Sequence, residues 1–331
     1  MKHDQFITVI VVNYNGLHLL KSCLEFISSQ SLKSIEIILV DNASTDNSVP
    51  YVRDNFPAVK IVSLASNMGF AGANVEGLKH AKGDYVMLVN NDAELDRDCI
   101  ANLCHAMETD RTIGIGATKM IVYGKDIIDS AGDGFSTNLK GFKRGEGEKE
   151  EKYNREEYIF GACAGAALYR RDMLEEIGFF DEDFFLIQED TDLNFRAQLA
   201  GWKVMYVPSA IVFHKVRSTI GKMSDRAIYY SLRNSEFVRF KNVPLVIFLR
   251  CLPSYAIGVI IEFLYFVVKY RKFSLYVKAK WDAIKLFPKM VRKRSIIMKN
   301  KKVDNKQIYH IMTPFWQKEF FTTKSRKFFT E

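Results

Sequence analysis

Four segments in the first hundred residues end in amide or carboxylate side chains, in places where a ligand could be held. VVNYNG (11–16) presents Asn13 and Asn15, whose amides can donate to and accept from a nucleotide base or ribose. VDNASTDNS (40–48) offers Asp41, a carboxylate able to accept from the imide N–H of uracil or thymine, and Asp46, better placed to cap the next helix. NMGFAGANVEG (67–77) sets Asn67 and Asn74 around Gly69 and Gly72, glycines that permit close backbone approach at a helix start. LVNNDAEL (88–95) lines up Asn90, Asn91 and Asp92, where a hard cation bridging a diphosphate could be held. Mg2+ needs one or two protein carboxylates when phosphate oxygens and water complete its shell. Farther on, IQEDTDL (187–193) places Glu189, Asp190 and Asp192 at a helix start, where negative charge is favoured. Arg196 lies four residues after Asp192 and can pair with it, so Asp192 reads as structural. His214 ends an apolar run, a place for hydrogen bonding or ligation.

The elements that must position these residues follow from periodicity. Residues 6–12, 35–40, 59–64 and 85–89 are short β-branched runs, each stopped by polar or glycine-containing turns. Helical spacing of apolar residues covers 17–29, 46–55 and 72–80, so strand and helix alternate. That predicts an α/β fold with an open, mostly parallel sheet whose ligands sit at the carboxyl ends of the strands. The first turn lacks G-x-G-x-x-G, which argues against a dinucleotide fold. It also lacks the glycine-rich basic loop a nucleotidyltransferase would use, since no lysine follows until Lys21. Helices are expected at 98–108, 171–177 and 191–200, and strands at 113–122, 202–207 and 210–214. The segment KGFKRGEGEKEEKYNREE (140–157) is polar and glycine-bearing and predicts a mobile surface loop.

In this order, VVNYNG, DNASTDNS, NMGFAGAN and NNDAEL resemble glycosyltransferase family 2 with its GT-A fold, particularly the bacterial rhamnosyltransferase-like branch. The block from Phe160 to His214 looks like the family's acceptor side, and YYSLRNSEF (229–237) is also similar and is expected to pack beneath the site. The resemblance implies an inverting transfer of a sugar, rhamnose or another deoxyhexose, from a nucleotide diphosphate sugar donor to a glycan or lipid-linked acceptor. It implies donor contacts from Asn13, Asn15, Asp41, Asn67, Gly69, Asn74 and Asn91. Asn90 and Asp92 map onto the family's Asp-x-Asp metal motif for Mg2+ or Mn2+, with Asn90 replacing a charged ligand, and His214 matches a ligand used by some members. Asp190 falls where the general base stands. A competing reading, a non-catalytic nucleotide-sugar-binding membrane subunit, rests on Asn90 alone.

Charge and hydropathy divide the 331-residue chain near residue 244. From Pro244 onward there are 19 Lys and Arg against 5 Asp and Glu, whereas the preceding part is net −6. The basic character therefore belongs to the tail and gives no sign of nucleic-acid binding. We expect a GT-A domain at 1–243 and a helical, basic, membrane-associating region at 244–331. The run CLPSYAIGVIIEFLYFVV (251–268) is long enough to reach across a bilayer core at about 27 Å. Glu262 and Pro253 argue against a simple span, and one crossing would export the basic stretch that follows, against the positive-inside tendency. An interfacial helix beside an anionic membrane surface is the expectation. Five cysteines without a C-x-x-C pair fit a reducing compartment. The polar start has no signal-peptide core, which predicts a cytoplasmic enzyme, peripheral on the inner face of the cell membrane.

Overall fold

The structure, a computed structural model, describes residues 5–215 and 224–317. β1 (Ile7–Asn13) reads ITVIVVN and is buried along nearly its whole length, as a strand covered on both sheet faces must be. α1 (Leu17–Ser28), β2 (Ile35–Asp41), α2 (Ser48–Asn55), β3 (Lys60–Ser63), α3 (Gly69–Leu78) and β4 (Tyr85–Asn90) complete the expected alternation. α1 turns Leu20, Cys23, Leu24 and Ile27 inward at i, i+3, i+4 and i+7. β1 runs parallel to both β2 and β4, and β3 lies beyond β2. The register sets Asn13 beside Asp41 and Val12 beside Asn90, so three of the polar motifs emerge at one sheet edge.

The chain then adds β5 (Ala93–Leu95), α4 (Cys99–Glu108), β6 (Ile113–Val122) and β7 (Ile128–Ser130), followed by the hairpin β8 (Asp133–Ser136) and β9 (Lys140–Lys143). β10 (Glu157–Ile159), β11 (Ala166–Arg170), α5 (Arg171–Ile177), α6 (Glu189–Ala200) and β12 (Lys203–His214) follow. The main sheet runs β10-β12-β6-β11-β4-β1-β2-β3, with β5 on β12 and β7 on β6. β11 is antiparallel to both of its neighbours, β4 and β6. The two strands expected at 202–207 and 210–214 are one, with a register shift between Val207 and Ile211 where Pro208 interrupts pairing. Apolar clusters cover both faces of the sheet.

The polar segment 140–157 is ordered rather than mobile. It supplies β9, a 3-10 turn at Glu150–Lys152 and β10, which pairs with β12. Its charges find partners across the fold: Lys143 with Asp129 (2.8 Å), Lys119 with Glu150 (3.1 Å) and Lys140 with Glu262 (2.9 Å).

After α7 (Asp225–Asn242) come α8 (Leu245–Phe263), continued by a π-helical turn at Leu264–Lys269, then α9 (Phe273–Lys285), α10 (Phe287–Lys299) and α11 (Asn305–Ile311). Ile247, Cys251, Met290 and Ile308 from these helices join Phe135, Phe160 and Phe195 in a third cluster, so residues on the two sides of position 244 share one core. The end of the basic tail, 318–331, lies outside the described residues.

Candidate active site

Asn13 is fully buried and acts as an inner pin. Its Nδ2 donates to Asp41 Oδ1 (3.4 Å) and Ser44 Oγ (3.2 Å), while its Oδ1 accepts from Asn91 Nδ2 (2.9 Å). Asp41 also accepts from Ser44 N at 3.1 Å, so carboxylate and turn are locked together. A Cβ at Gly16 would stand 2.4 Å from Asn91 Nδ2 and 2.6 Å from Asn13 Oδ1, so the helix can begin here only because residue 16 has no side chain. Asn15 takes the left-handed conformation (φ 51) and accepts from Thr45 N at 2.7 Å, on the exposed rim. Asp46 accepts from Leu17 N and Ser48 N at 3.1 Å each, tying together the starts of α1 and α2 as its structural reading requires.

Two expected donor contacts have other occupations. Asn74 is 1% exposed and its Nδ2 donates to Phe70 O (2.9 Å) inside α3, so it sits in the helix packing rather than on the cleft. At Gly69 (φ 73) the close backbone neighbour is the chain itself, because a Cβ there would lie 2.3 Å from Phe185 O. Asn67 Oδ1 caps that turn by accepting from Gly69 N (2.9 Å), and Asn42, unremarked in the sequence, braces it by accepting from Met68 N (2.8 Å).

The antiparallel pairing of β5 with β12 sets His214 beside Ala93, which brings its ring to Asp92. His214 Nε2 lies 3.1 Å from Asp92 Oδ1, and Nδ1 lies 2.9 Å from Asp129 Oδ2. Burial alone would lower the His214 pKa, but the hydrogen bonds to Asp129 and Asp92, then their charges, push it up to about 9. Asn90 stands half-buried at the end of β4, its backbone N donating to Gly165 O at 2.8 Å. Among the described residues no group of three or more His, Cys, Asp or Glu is arranged to hold a metal. Asp92 and His214 nevertheless converge as one carboxylate and one imidazole, a donor pair that suits a cation whose remaining ligands are phosphate and water.

The Glycosyl transferase family 2 profile matches residues 8–178, just over half of the chain, from β1 to the end of α5. The chain belongs to this family. It is 28% identical over 241 residues to N-acetylglucosaminyl-diphospho-decaprenol L-rhamnosyltransferase of Mycobacterium tuberculosis, covering 64% of this chain and 76% of that protein. Its fold is GT-A, shared with a mannosyltransferase of Pyrobaculum calidifontis solved with GDP-Man and Mn2+ (TM-score 0.55, 17% identity, 100% of this chain and 89% of that one). It is shared also with GalNAc-T7 solved with UDP, GalNAc and Mn2+ (TM-score 0.59, 18% identity, 72% of this chain), of which the chain spans about half, 48%. The protein is a glycosyltransferase, and it is similar also to the poly-beta-1,6-N-acetyl-D-glucosamine synthase of Staphylococcus aureus (22% identity, 68% of this chain and 53% of that protein).

In this family 2 enzyme Asp190 opens α6 and is partly exposed. Its Oδ1 accepts from Thr191 N at 2.7 Å, and its Oδ2 has a longer contact, Ala164 N at 3.4 Å. Burial raises its pKa, against the lowering effect of those backbone donors and of Lys143. The preceding turn is strained: Phe185, Ile187 and Gln188 all have φ between 65 and 75. Such conformations cost about 1–3 kcal/mol each and persist where their surroundings over-determine them. Here α7 does so, as its sequence suggested. Asn234 Nδ2 donates to Phe184 O, Leu186 O and Ile187 O at 2.7–2.9 Å, and Arg233 donates to Asp183 O at 2.7 Å. Asp192 is structural as expected, buried between Arg196 (2.9 Å) and Lys241 (2.8 Å).

Sequence reading missed Asp129, Asp133 and Lys143. Lys143 is ion-paired to Asp129, which holds His214, and its charge also lowers the pKa of Asp190. Asp133 is buried with Oδ1 unpartnered among the described residues, and burial, then the charge of Asp190, holds its carboxyl well above the usual range. The available signal was IDSAGDG (128–134), two acids four apart around a glycine.

Proposed function

We propose that this enzyme is an inverting, metal-dependent glycosyltransferase with Asp190 as its general base. The observation that carries the reading is a partly exposed carboxylate of raised pKa at the start of α6, within reach of the charge of Lys143, whose partner Asp129 holds the Asp92–His214 pair. Asp190 Oδ2 takes the proton of an acceptor hydroxyl while that oxygen bonds to the anomeric carbon. The bond from that carbon to the diphosphate oxygen breaks, and the nucleoside diphosphate leaves from the opposite face. A positioned base of this kind is worth about 10² to 10⁴ in rate. Asp92 and His214, with Asn90 beside them, would hold Mg2+ or Mn2+, which supplies charge stabilisation to the departing diphosphate. Asp41, positioned by Asn13 with the buried Asn91 behind it, and the rim residue Asn15 would meet the base and ribose.

The donor we propose is a nucleotide diphosphate sugar, with a deoxyhexose such as rhamnose favoured by the name of the mycobacterial relative. The same name, with its decaprenol diphosphate, favours a lipid-linked or polysaccharide acceptor. Such an acceptor supports a cytoplasmic location, peripheral on the inner face of the membrane. A thermal-shift screen of nucleotide sugars with and without Mg2+ or Mn2+ tests the reading, because a ligand of the native state raises the melting temperature by mass action. A metal-dependent shift with a diphosphate sugar is expected. No shift with any donor, or equal shifts without metal, would count against it.

A further inference from the structure

Seventeen of the twenty-one large apolar residues exposed among the described residues lie between Leu245 and Trp316. On a helix packed against a protein core the large apolar residues normally face inward. α9 does the reverse, and α10 turns Met290 inward but leaves Phe287, Val291 and Ile296 exposed. α9 buries Ala279 and Ala283 with Tyr276, while Phe273, Val277, Trp281, Ile284, Phe287 and Val291 are all exposed. Their spacings of four, four, three, three and four place them along one stripe of the two consecutive helices. Lys278, Lys285 and Arg292 are exposed beside that stripe. α8 adds Leu245, Val246, Leu249, Leu252, Ile260 and Ile261 on its exposed side.

We propose that the outer faces of α8, α9 and α10 form one surface that lies in the plane of an anionic membrane, with no segment of α8 crossing it. The inference rests on the peripheral location proposed above and deepens it. α8 and its π-helical turn, Leu245–Lys269, are long and apolar enough for a span, but its inner side is fastened to the catalytic half. Glu262, 6% exposed, accepts from Lys140 Nζ (2.9 Å) and Lys280 Nζ (2.6 Å). A Cβ at Gly258 would lie 3.2 Å from Asn138 Cβ, so the helix rides directly on the β8–β9 turn. Crossing would pull these charges apart and carry Glu262 into hydrocarbon. Charge selects the occupant: the region from Pro244 is net +14, which favours anionic lipid and opposes a second copy of the same face.

The test is flotation of the full chain with vesicles of phosphatidylcholine, with and without phosphatidylglycerol, and without donor or acceptor. Wild type should float with the anionic vesicles, less in high salt but still detectably, because salt screens charge and leaves apolar burial intact. The W281E/I284E double variant should lose flotation while keeping its melting temperature and its nucleotide-sugar thermal shift, since both side chains are exposed. Equal flotation of the variant, absence of flotation in wild type, or self-association of wild type that the variant abolishes would each overturn the proposal. Donor shifts and transfer are read separately, so an inactive enzyme that floats sinks the proposed function, and an active one that does not float sinks this surface.

Discussion

Asp129→Asn separates two opposing effects on the Asp92–His214 pair. Asp129 is buried, and its Oδ2 sits 2.9 Å from His214 Nδ1 and 2.8 Å from Lys143 Nζ. It orients the imidazole, and loss of such an outer partner typically costs about 10- to 100-fold in metal affinity. It also keeps the ring protonated, and a metal must displace that proton. With the His214 pKa pushed up to about 9 by Asp129 and Asp92, the proton competes with the metal at pH 7 by on the order of a hundredfold. Wild-type Mg2+-dependent donor binding should therefore tighten by up to about a hundredfold between pH 7 and 9. In the variant the ring loses its proton more readily, so the pH slope flattens, while affinity above pH 9 falls by the orientation term of about 10- to 100-fold. Calorimetric titration of donor with metal across this range reads both quantities. Parallel pH profiles for the two proteins would refute the role given to Asp129.

Other outcomes follow from the same geometry. Asp92→Ala should weaken metal-dependent donor binding and transfer together, and activity that survives full chelation would remove the metal role from both Asp92 and His214. The raised pKa of His214 contributes stability that is fully present below its unfolded value of 6.5 and lost as pH rises through about 9, so the metal-free melting temperature should fall across that window. Gly69→Ala, which would press a Cβ within 2.3 Å of Phe185 O, should cost about 1–3 kcal/mol and impair transfer by displacing the turn before Asp190, both visible in melting and rate. Glu262→Ala should destabilise by about 1–3 kcal/mol, measured by denaturant unfolding, because it takes the carboxylate from Lys140 and leaves Lys280 and Arg239 to share Glu236.

The strands and the order of the motifs were legible because β-branched runs stop at polar turns, and the parallel register then had to bring Asn13, Asp41 and Asn90 to one edge. Residue type alone could not separate Asn67, which caps a turn, from Asn74, which is spent inside α3. Asp129 and Lys143 were hidden because their meaning lies in pairings: β7 is three residues long, and Lys143 acts through its place in the hairpin. The segment 140–157 looked solvated for the same reason, since Lys140 finds its partner Glu262 a hundred and twenty-two residues away. The compositional break at 244 marks a change of surface, whereas the core runs through it. A cut after Val243 would strip Ile247, Cys251, Met290 and Ile308 from their cluster with Phe135 and Phe195. Point variants on the exposed stripe are therefore the cleaner probe of the membrane surface.

The central claim, that Asp190 removes the acceptor proton, is tested most directly by Asp190→Asn with transfer and donor affinity measured on the same preparation. The carboxylate is partly exposed, its Oδ1 is held by Thr191 N, and the amide can keep that contact, so the fold and the donor side should be preserved. Transfer should fall by at least about 10² while donor affinity stays near the wild-type value. In wild type, kcat/KM should decline on the acid side at a pH above the ordinary aspartate value of 3.8, the direction in which burial moves this group. Near-normal turnover in the asparagine variant would contradict the account.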